Sequence, residues 1–134
     1  MKRIRATAVV CHDAKIVLIH RIKGDQQYYT LPGGSIEPED ASVGIAAVRE
    51  LQEETSLVTK LGKHIFSYTY KDVLNELFLC EYQGGQLYLP EDSLEAELTT
   101  ETNQFNPVWI PVAEIGNTNI YPEPVKVFLK EYFG

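Results

Sequence analysis

The sequence contains few of the features that mark disulfide-linked or membrane-inserted proteins. It has only two cysteines, Cys11 and Cys80, which are far apart and show no paired spacing. We therefore expect free thiols in a reducing cytoplasm rather than a disulfide scaffold. No apolar run is long enough to cross a membrane, and none follows Met1–Arg5 as it would in a secretory signal. These absences predict a cytoplasmic protein with no membrane partner.

Positive charge is also scarce. The chain has 12 Lys and Arg residues against 19 Asp and Glu residues, and its net charge is −7. A protein of this charge has no general basic field to attract a nucleic acid polymer or an anionic membrane. A nucleotide ligand stays possible, because a bound metal ion would supply positive charge locally.

Length and composition indicate one globular unit. The 134 residues, with 44% hydrophobic and 23% charged residues, are enough for a substantial core and too few for two domains. There is no internal repeat or low-complexity segment. We expect a single domain that spans residues 1–134.

The most informative stretch runs from Leu31 to Leu57. It begins with a proline-glycine-glycine loop and continues into a segment with helical periodicity, for which Ser42 is a suitable N-cap. Glu50, Glu53 and Glu54 fall on one side of this predicted helix. Three neighbouring carboxylates repel one another unless water or cations neutralise them, and Mg²⁺ prefers such oxygen ligands.

Another arc of the same helix carries small and apolar residues, which predicts the face that packs on the core. These residues are Gly44, Ala47, Val48 and Leu51. A surface helix with solvated charges would explain Glu53 and Glu54. It would not explain why the glycine loop and the run from Arg49 to Glu54 occur together.

This stretch resembles the Nudix box of hydrolases that cleave nucleoside diphosphates linked to another group. Gly34 takes the first position of the family pattern, and Arg49–Leu57 takes the last nine. There are three departures. Asp40 stands where the family has Glu, the spacer from Asp40 to Arg49 is one residue longer, and Ser56 replaces the closing Gly.

The resemblance implies an α+β fold, a Nudix-like α/β/α sandwich with a mixed sheet between helices. It also implies a MutT-like pyrophosphohydrolase that uses Mg²⁺, with Mn²⁺ possible, on a nucleotide-type small molecule. No nucleic acid polymer is expected as partner, and a homodimer is plausible. The alternatives are a catalytically silent nucleotide-binding module and an enzyme with other chemistry, such as isomerisation of an isoprenoid diphosphate.

Site roles follow from the resemblance together with the helical spacing. Glu50 and Glu54 are the expected principal metal ligands, and Glu53 is an additional ligand or the base. A backbone carbonyl of the glycine loop would also reach the metal. The remaining expected site residues are Gly33 or Gly34 for that carbonyl, Arg49 to hold the carboxylates, Asp40 or Glu39 to pair with Arg49, and Glu97 or Glu101 as a late-loop acid.

Substrate contacts are expected just before the glycine loop. Arg21 and Lys23 end a predicted strand and could meet phosphates, Tyr28 could stack on a base or sugar, and Gly33 would let the backbone approach the ligand. His12 and His20 belong to no metal-ligand spacing, so we expect ordinary turn and strand roles for them.

The rest of the chain predicts mainly strands. Ile4–Cys11 and Lys15–Arg21 are expected to form a hairpin, and the turn at Gly84-Gly85 predicts another hairpin with Gln86–Leu89. Glu123–Phe133 is expected to form a last helix that packs on the core.

Overall fold

The computed structural model describes residues 3–88, 100 and 102–134. Within them lie eight strands, two α-helices and one short 3₁₀ helix. In chain order these are β1 Arg3–Val9, β2 Cys11–His12, β3 Lys15–Lys23, β4 Gln26–Thr30, β5 Gly33–Ser35, α1 Val43–Thr55, β6 Val58–Tyr70, β7 Val73–Gly84, β8 Asn103–Pro111, the 3₁₀ helix Val112–Asn117 and α2 Glu123–Phe133. No helix among the described residues is long and apolar enough to cross a membrane.

The strands form two sheets. The first has the order β5-β1-β7-β6 and is mixed, because β1 runs parallel to β7 while its other pairs are antiparallel. In the second sheet, β3 pairs antiparallel with β2, β4 and β8. The mixed sheet expected from the sequence is therefore present, and a second, antiparallel sheet accompanies it.

Each helix covers its own apolar core, and the strands supply residues to both cores. Successive side chains of a strand point to opposite faces. Accordingly Val17 packs in the cluster that contains Ala47 and Leu51 of α1. Its neighbours on β3 pack in the other cluster with α2; the residues concerned are Ile16, Leu18, Val125 and Leu129. This arrangement is the expected α/β/α sandwich.

Helix α1 begins as the sequence predicts. The Ser42 hydroxyl oxygen accepts a hydrogen bond of 3.1 Å from the backbone N–H of Ile45, which satisfies one of the free donors of the first turn. The helix ends at Ser56, which has a left-handed φ of 66° and donates its N–H to the carbonyl of Gln52. That conformation is the one that glycine favours, which explains why the family pattern has Gly at this position.

The predicted hairpin of Ile4–Cys11 with Lys15–Arg21 is wrong for most of its length. Only the short strand β2 pairs with β3, through Cys11 opposite Ile16 and His12 opposite Lys15. Strand β1 belongs to the other sheet, where it lies between β5 and β7. The second half of β1, from Ala6 to Val9, is buried, as suits a strand that lies between two others and pairs in parallel with one of them.

The predicted hairpin after Gly84-Gly85 is also wrong. Strand β7 ends at Gly84, and no strand follows through Tyr88 in the described part of the chain. The N–H of Tyr88 instead donates to the carbonyl of Thr55 at the end of α1, over 3.0 Å. Leu89 lies outside the described residues. The last helix, Glu123–Phe133, has the predicted bounds.

Candidate active site

Arg49 is the centre of a network of oxygen atoms at the solvent edge of α1. Its guanidinium donates two hydrogen bonds of 2.9 Å to Asp40, from Nε to Oδ1 and from Nη2 to Oδ2. It also donates to the carbonyl of Ser35 over 3.1 Å, to Glu50 over 3.1 Å and to Glu53 over 3.3 Å. One cation thus joins the glycine loop, the spacer and the acidic face of the helix. The predicted contact between Arg49 and an acid of the spacer is confirmed, and Asp40 is the acid.

The Asp40 carboxylate is well held. Its side chain is 3% exposed, and Oδ2 also accepts a hydrogen bond of 2.8 Å from the N–H of Glu37. The hydrogen bonds from Arg49 and then that from the Glu37 backbone hold the pKa of Asp40 below its usual value. The hydrogen bonds to Asp40 in turn raise the pKa of Arg49, and the neighbouring Glu50 and Glu53 raise it further.

Glu54 and Glu50 meet the glycine loop directly. The N–H of Gly33 donates to Oε2 of Glu54 over 2.8 Å, and Glu54 is only 7% exposed. The Glu50 side chain is 13% exposed, and its carboxylate occupies the space that a Cβ on Gly34 would fill. A Cβ on Gly33 would lie 2.5 Å from the carbonyl oxygen of Ala6 on β1.

Gly33 and Gly34 are required for the space around them and not for their backbone conformation. Neither Gly33 nor Gly34 has a positive φ, whereas Gly24 and Gly85 do. Together with Ser35 the pair forms strand β5, which pairs with Arg5, Ala6 and Thr7 of β1. Glycine is required here for close approach of two backbones and one carboxylate, and the left-handed region plays no part.

Glu50 and Glu54 line one cavity of about 350 Å³ together with both glycines. We call it the glutamate cavity, and its lining also includes Arg5, Arg21, Thr30, Ser35 and Phe105. Glu53 does not line it; the Glu53 side chain is 52% exposed and turns toward Arg49. Of the three acids expected on one side of the helix, Glu50 and Glu54 line this cavity.

The residues present fit a hard divalent cation. No three Asp, Glu, His or Cys side chains among residues 3–88, 100 and 102–134 form a complete metal cluster. Mg²⁺, however, usually binds through one or two carboxylates plus substrate phosphates, and it keeps several waters. Glu50, Glu54 and the backbone of β5 offer only oxygen ligands at one cavity wall, which is the donor chemistry that Mg²⁺ takes.

Comparison with known proteins identifies the family of this chain. The sequence model of one protein family, the NUDIX domain, matches residues 1–130. The chain belongs to the NUDIX domain family. An ADP-ribose pyrophosphatase of Methanocaldococcus jannaschii is 32% identical to it over an alignment of 101 residues, and the match covers 70% of this chain and 59% of that protein. This NUDIX chain therefore spans less than two thirds of the length of that relative.

Solved structures show the same fold. The solution structure of the E. coli ORF135 protein matches with a TM-score of 0.68 at 24% identity, covering 98% of this chain and 89% of that one. The crystal structure of a NUDIX-family hydrolase from Clostridium perfringens matches with a TM-score of 0.73 at 14% identity, covering 99% and 97%. The α+β sandwich expected from the sequence is thus the fold of the NUDIX domain.

Of the residues expected to contact substrate, Arg21 and Gly33 line the glutamate cavity of this NUDIX domain, and Lys23 does not. Arg21 lines the glutamate cavity, where its Nε donates to the carbonyl of Gln104 over 3.2 Å and its Nη2 to Oδ1 of Asn103 over 2.8 Å. Its guanidinium carbon lies 3.8 Å from the centre of the Phe105 ring and 5.8 Å from that of Tyr28. Glu97 and Glu101, the expected late-loop acids, lie outside the described residues.

A second cavity, of about 470 Å³, continues from the glutamate cavity. We call it the basic cavity. The two share Arg5, Arg21, Thr30, Gly34 and Ser35. Arg21 and Tyr28 of its lining were expected from the sequence. The other basic and aromatic members were not, and they are Arg3, Arg5, Lys71, Tyr68, Tyr70 and Tyr121.

Only some of these additional residues could have been predicted from the sequence. Arg5 lies in the predicted strand Ile4–Cys11 and Arg3 comes just before it, so their shared face could have been inferred from the period of two. Lys71 and Tyr121 reach the cavity from distant parts of the chain. Tyr70 and Tyr121 are 51 residues apart, and their hydroxyl oxygens lie 2.6 Å from each other. No pattern within a short stretch of the sequence predicts that contact.

Proposed function

We propose that this domain is a metal-dependent pyrophosphohydrolase that cleaves a nucleoside diphosphate linked to another group. The observation that carries the proposal is the continuity of the two cavities. Glu50 and Glu54 line one end, Tyr28 lines the other, and Arg21 belongs to the lining of both. An extended substrate with a diphosphate in its middle matches such a groove, because its phosphates need cations and its base or sugar needs aromatic walls.

Glu50 and Glu54 are the proposed metal ligands, and Glu53 and the Gly34 carbonyl are proposed as additional ones. Mg²⁺ or Mn²⁺ held there would neutralise phosphate charge and activate water for attack on phosphorus. Glu54 is fixed by the N–H of Gly33 over 2.8 Å, so its second oxygen keeps a defined direction. Glu53 is half-exposed, and a proton-accepting role suits it because water reaches it freely.

Arg49 acts on the carboxylates in this proposal and not on the substrate. Its five N–H donors are directed to Asp40, Glu50, Glu53 and the carbonyl of Ser35. A guanidinium with so many oxygen partners is a rigid fork that fixes the glycine loop against α1. Glu50 is thereby oriented before substrate binds, which is how preorganised sites lower an activation barrier.

Substrate binding is assigned to Arg21, Tyr28 and the backbone at Gly33. Arg21 is held by two neutral oxygen acceptors and by the Phe105 ring, so it keeps its full charge for a phosphate. The similarity to an ADP-ribose pyrophosphatase makes ADP-ribose the first compound to examine, beside dinucleotides and sugar nucleotides.

The decisive experiment follows phosphate-containing products released from a panel of nucleoside-diphosphate compounds, with Mg²⁺, with Mn²⁺ and with EDTA. We expect release of a monophosphate from at least one compound, dependent on the metal. Glu50→Gln should lower kcat by orders of magnitude, on the order of 10²-fold or more. Glu131→Gln removes the same charge from an exposed position of α2 and should leave kcat unchanged.

Binding separates the enzyme from the silent module. A polyphosphate that approaches Glu50 and Glu54 without metal meets like charge, so calorimetry in EDTA should show much weaker nucleotide binding than in Mg²⁺. Tight binding in EDTA, with no cleavage of any compound in either metal, would contradict the proposal and favour a nucleotide-binding module.

A further inference from the structure

The basic cavity differs sharply in charge from the rest of the protein. The chain has more acids than bases, 19 against 12. Yet the lining of this cavity includes four basic residues and, among the residues that the structure describes, no Asp or Glu. The basic residues are Arg3, Arg5, Arg21 and Lys71. A third of the Lys and Arg residues of this acidic protein therefore line one cavity.

Three of these cations, Arg5, Arg3 and Lys71, follow one another in a row that leads away from the glutamate cavity. Arg5 lies opposite Ser35 of β5 and, on its other side, opposite Asn75 of β7. Arg3 is two residues further along β1, about 7 Å away along the strand, opposite Val73. Lys71 stands just before β7 and continues the row in the same direction.

Arg5 and Arg21 are shared with the glutamate cavity, whereas Arg3 and Lys71 line only the far part. A single diphosphate held at Glu50 and Glu54 would be reached by the near pair. It would not reach Arg3 or Lys71, which lie at least two strand residues further away. These two cations are therefore left without an anionic partner when only that diphosphate is bound.

Among the described residues, the far end of the row holds two hydroxyl groups and no competing acid. The hydroxyl oxygens of Tyr70 and Tyr121 lie 2.6 Å apart at this end. In the part of the chain that the structure describes, Arg3 and Lys71 form no ion pair with a carboxylate. Cations gathered without a counter-ion repel one another, and an anionic ligand relieves that repulsion.

We propose that the substrate carries a second anionic group, distant from the pyrophosphate that is cleaved, and that Arg3 and Lys71 bind it in the basic cavity. The inference rests on the proposed function, because it places the scissile pyrophosphate at Glu50 and Glu54. A phosphate monoester and a carboxylate both supply the required charge and acceptor oxygens. Plain ADP-ribose has neither group at its ends, so it would leave the far cations unmatched.

Compounds without a pyrophosphate test this independently of hydrolysis. Calorimetry in Mg²⁺ would compare AMP with adenosine 2′,5′-bisphosphate and 3′,5′-bisphosphate, and glucose 1-phosphate with glucuronate 1-phosphate. Each pair differs in one remote anionic group. We expect the more anionic member of at least one pair to bind more tightly by on the order of tenfold. The pair that shows this difference identifies phosphate or carboxylate as the source.

The variant Arg3→Gln/Lys71→Gln should abolish the difference while leaving the affinity for the less anionic compound unchanged. Lys63→Gln, an exposed change of the same type on β6 outside both cavities, should preserve it. The difference should also shrink as salt rises, since both far cations are exposed. Equal affinities within every pair, or a difference that survives the double variant, would overturn the inference.

The two proposals fail separately. If the remote anion has no effect and a nucleoside-diphosphate compound is still cleaved, only the second anionic group is wrong. If the difference in affinity is present and depends on Arg3 and Lys71 but no compound is cleaved, the cavity binds an anion and the proposed hydrolysis is wrong.

Discussion

Arg49 and Asp40 form a two-point ion pair, with two N–H donors on two carboxylate oxygens at 2.9 Å each. Asp40 is shorter by one carbon than the Glu of the family pattern, and the spacer to Arg49 is longer by one residue. The extra residue brings the shorter acid to the guanidinium, because the turn from Glu37 to Asp40 is closed by the N–H of Asp40 on the carbonyl of Glu37. Two departures from the pattern thus compensate each other.

The first prediction concerns this pair. Asp40→Asn should lower activity and the melting temperature at neutral pH, because Arg49 loses its charged partner. The pKa of folded Asp40 is below its usual value, so its stabilisation is present above an unfolded pKa of about 3.9 and is lost as the pH falls further. Melting curves of both proteins should therefore differ at pH 7 and converge below about pH 4.

Asp40→Glu is the matched variant. It restores the residue of the family pattern and keeps the charge, but its extra carbon displaces Oδ2 from the N–H of Glu37, 2.8 Å away. We expect only partial rescue of activity. Full activity of Asp40→Asn, or a difference in melting temperature that does not change with pH, would contradict the role given to the pair.

The second prediction separates the two glycines. A Cβ on Gly33 would press on the backbone of Ala6, whereas one on Gly34 would meet the movable end of Glu50. Gly33→Ala should lower the free energy of unfolding by about 1–3 kcal/mol. Gly34→Ala should unfold nearly as the native protein does, and it should lose activity because Glu50 is displaced. Urea unfolding and kcat would be measured for both, and equal destabilisation by the two changes would contradict this assignment.

The third prediction compares neighbouring acids of α1. Glu54 is buried at the glutamate cavity, while Glu53 is half-exposed outside it. Glu54→Gln should weaken Mg²⁺ activation on the order of tenfold or more, and the fold should survive because the Gln carbonyl still accepts the N–H of Gly33. Glu53→Gln should change Mg²⁺ activation much less. Titration of activity with Mg²⁺ would test both, and an equal response would require Glu53 to be a ligand of the same rank.

The fourth prediction uses the two thiols. Cys11 is exposed and Cys80 is buried, and burial raises the pKa of Cys80 to about 11. A thiol reagent at pH 8 should label one cysteine per native chain and a second only in denaturant. Cys11→Ser should leave no fast label. Rapid labelling of Cys80 in the native protein would contradict its position in the core beneath α1.

The sequence predicted well what is encoded locally. The Ser42 cap, the packing face of α1 with Ala47 and Leu51, and the contact of Arg49 with Asp40 all depend on residues within one short stretch. Helical periodicity and capping chemistry are rules of just this range.

The sequence predicted poorly what depends on distant pairing. Strand β1 appeared to form a hairpin with β3, yet its neighbour is β7, about 70 residues further along the chain. The strand length and the apolar pattern are compatible with either partner, and only the complete sheet decides between them. The basic cavity was missed for the same reason, since β1 and β7 bring its cations together.

The parallel pairing of β1 with β7 determines how the basic cavity forms. The residues that line it come from both ends and from the middle of the described chain. The cavity therefore forms only when most of the chain between them is ordered. No early hairpin or isolated helix can assemble it. A bound anion needs the complete cavity, so it should protect the whole domain against unfolding instead of one segment.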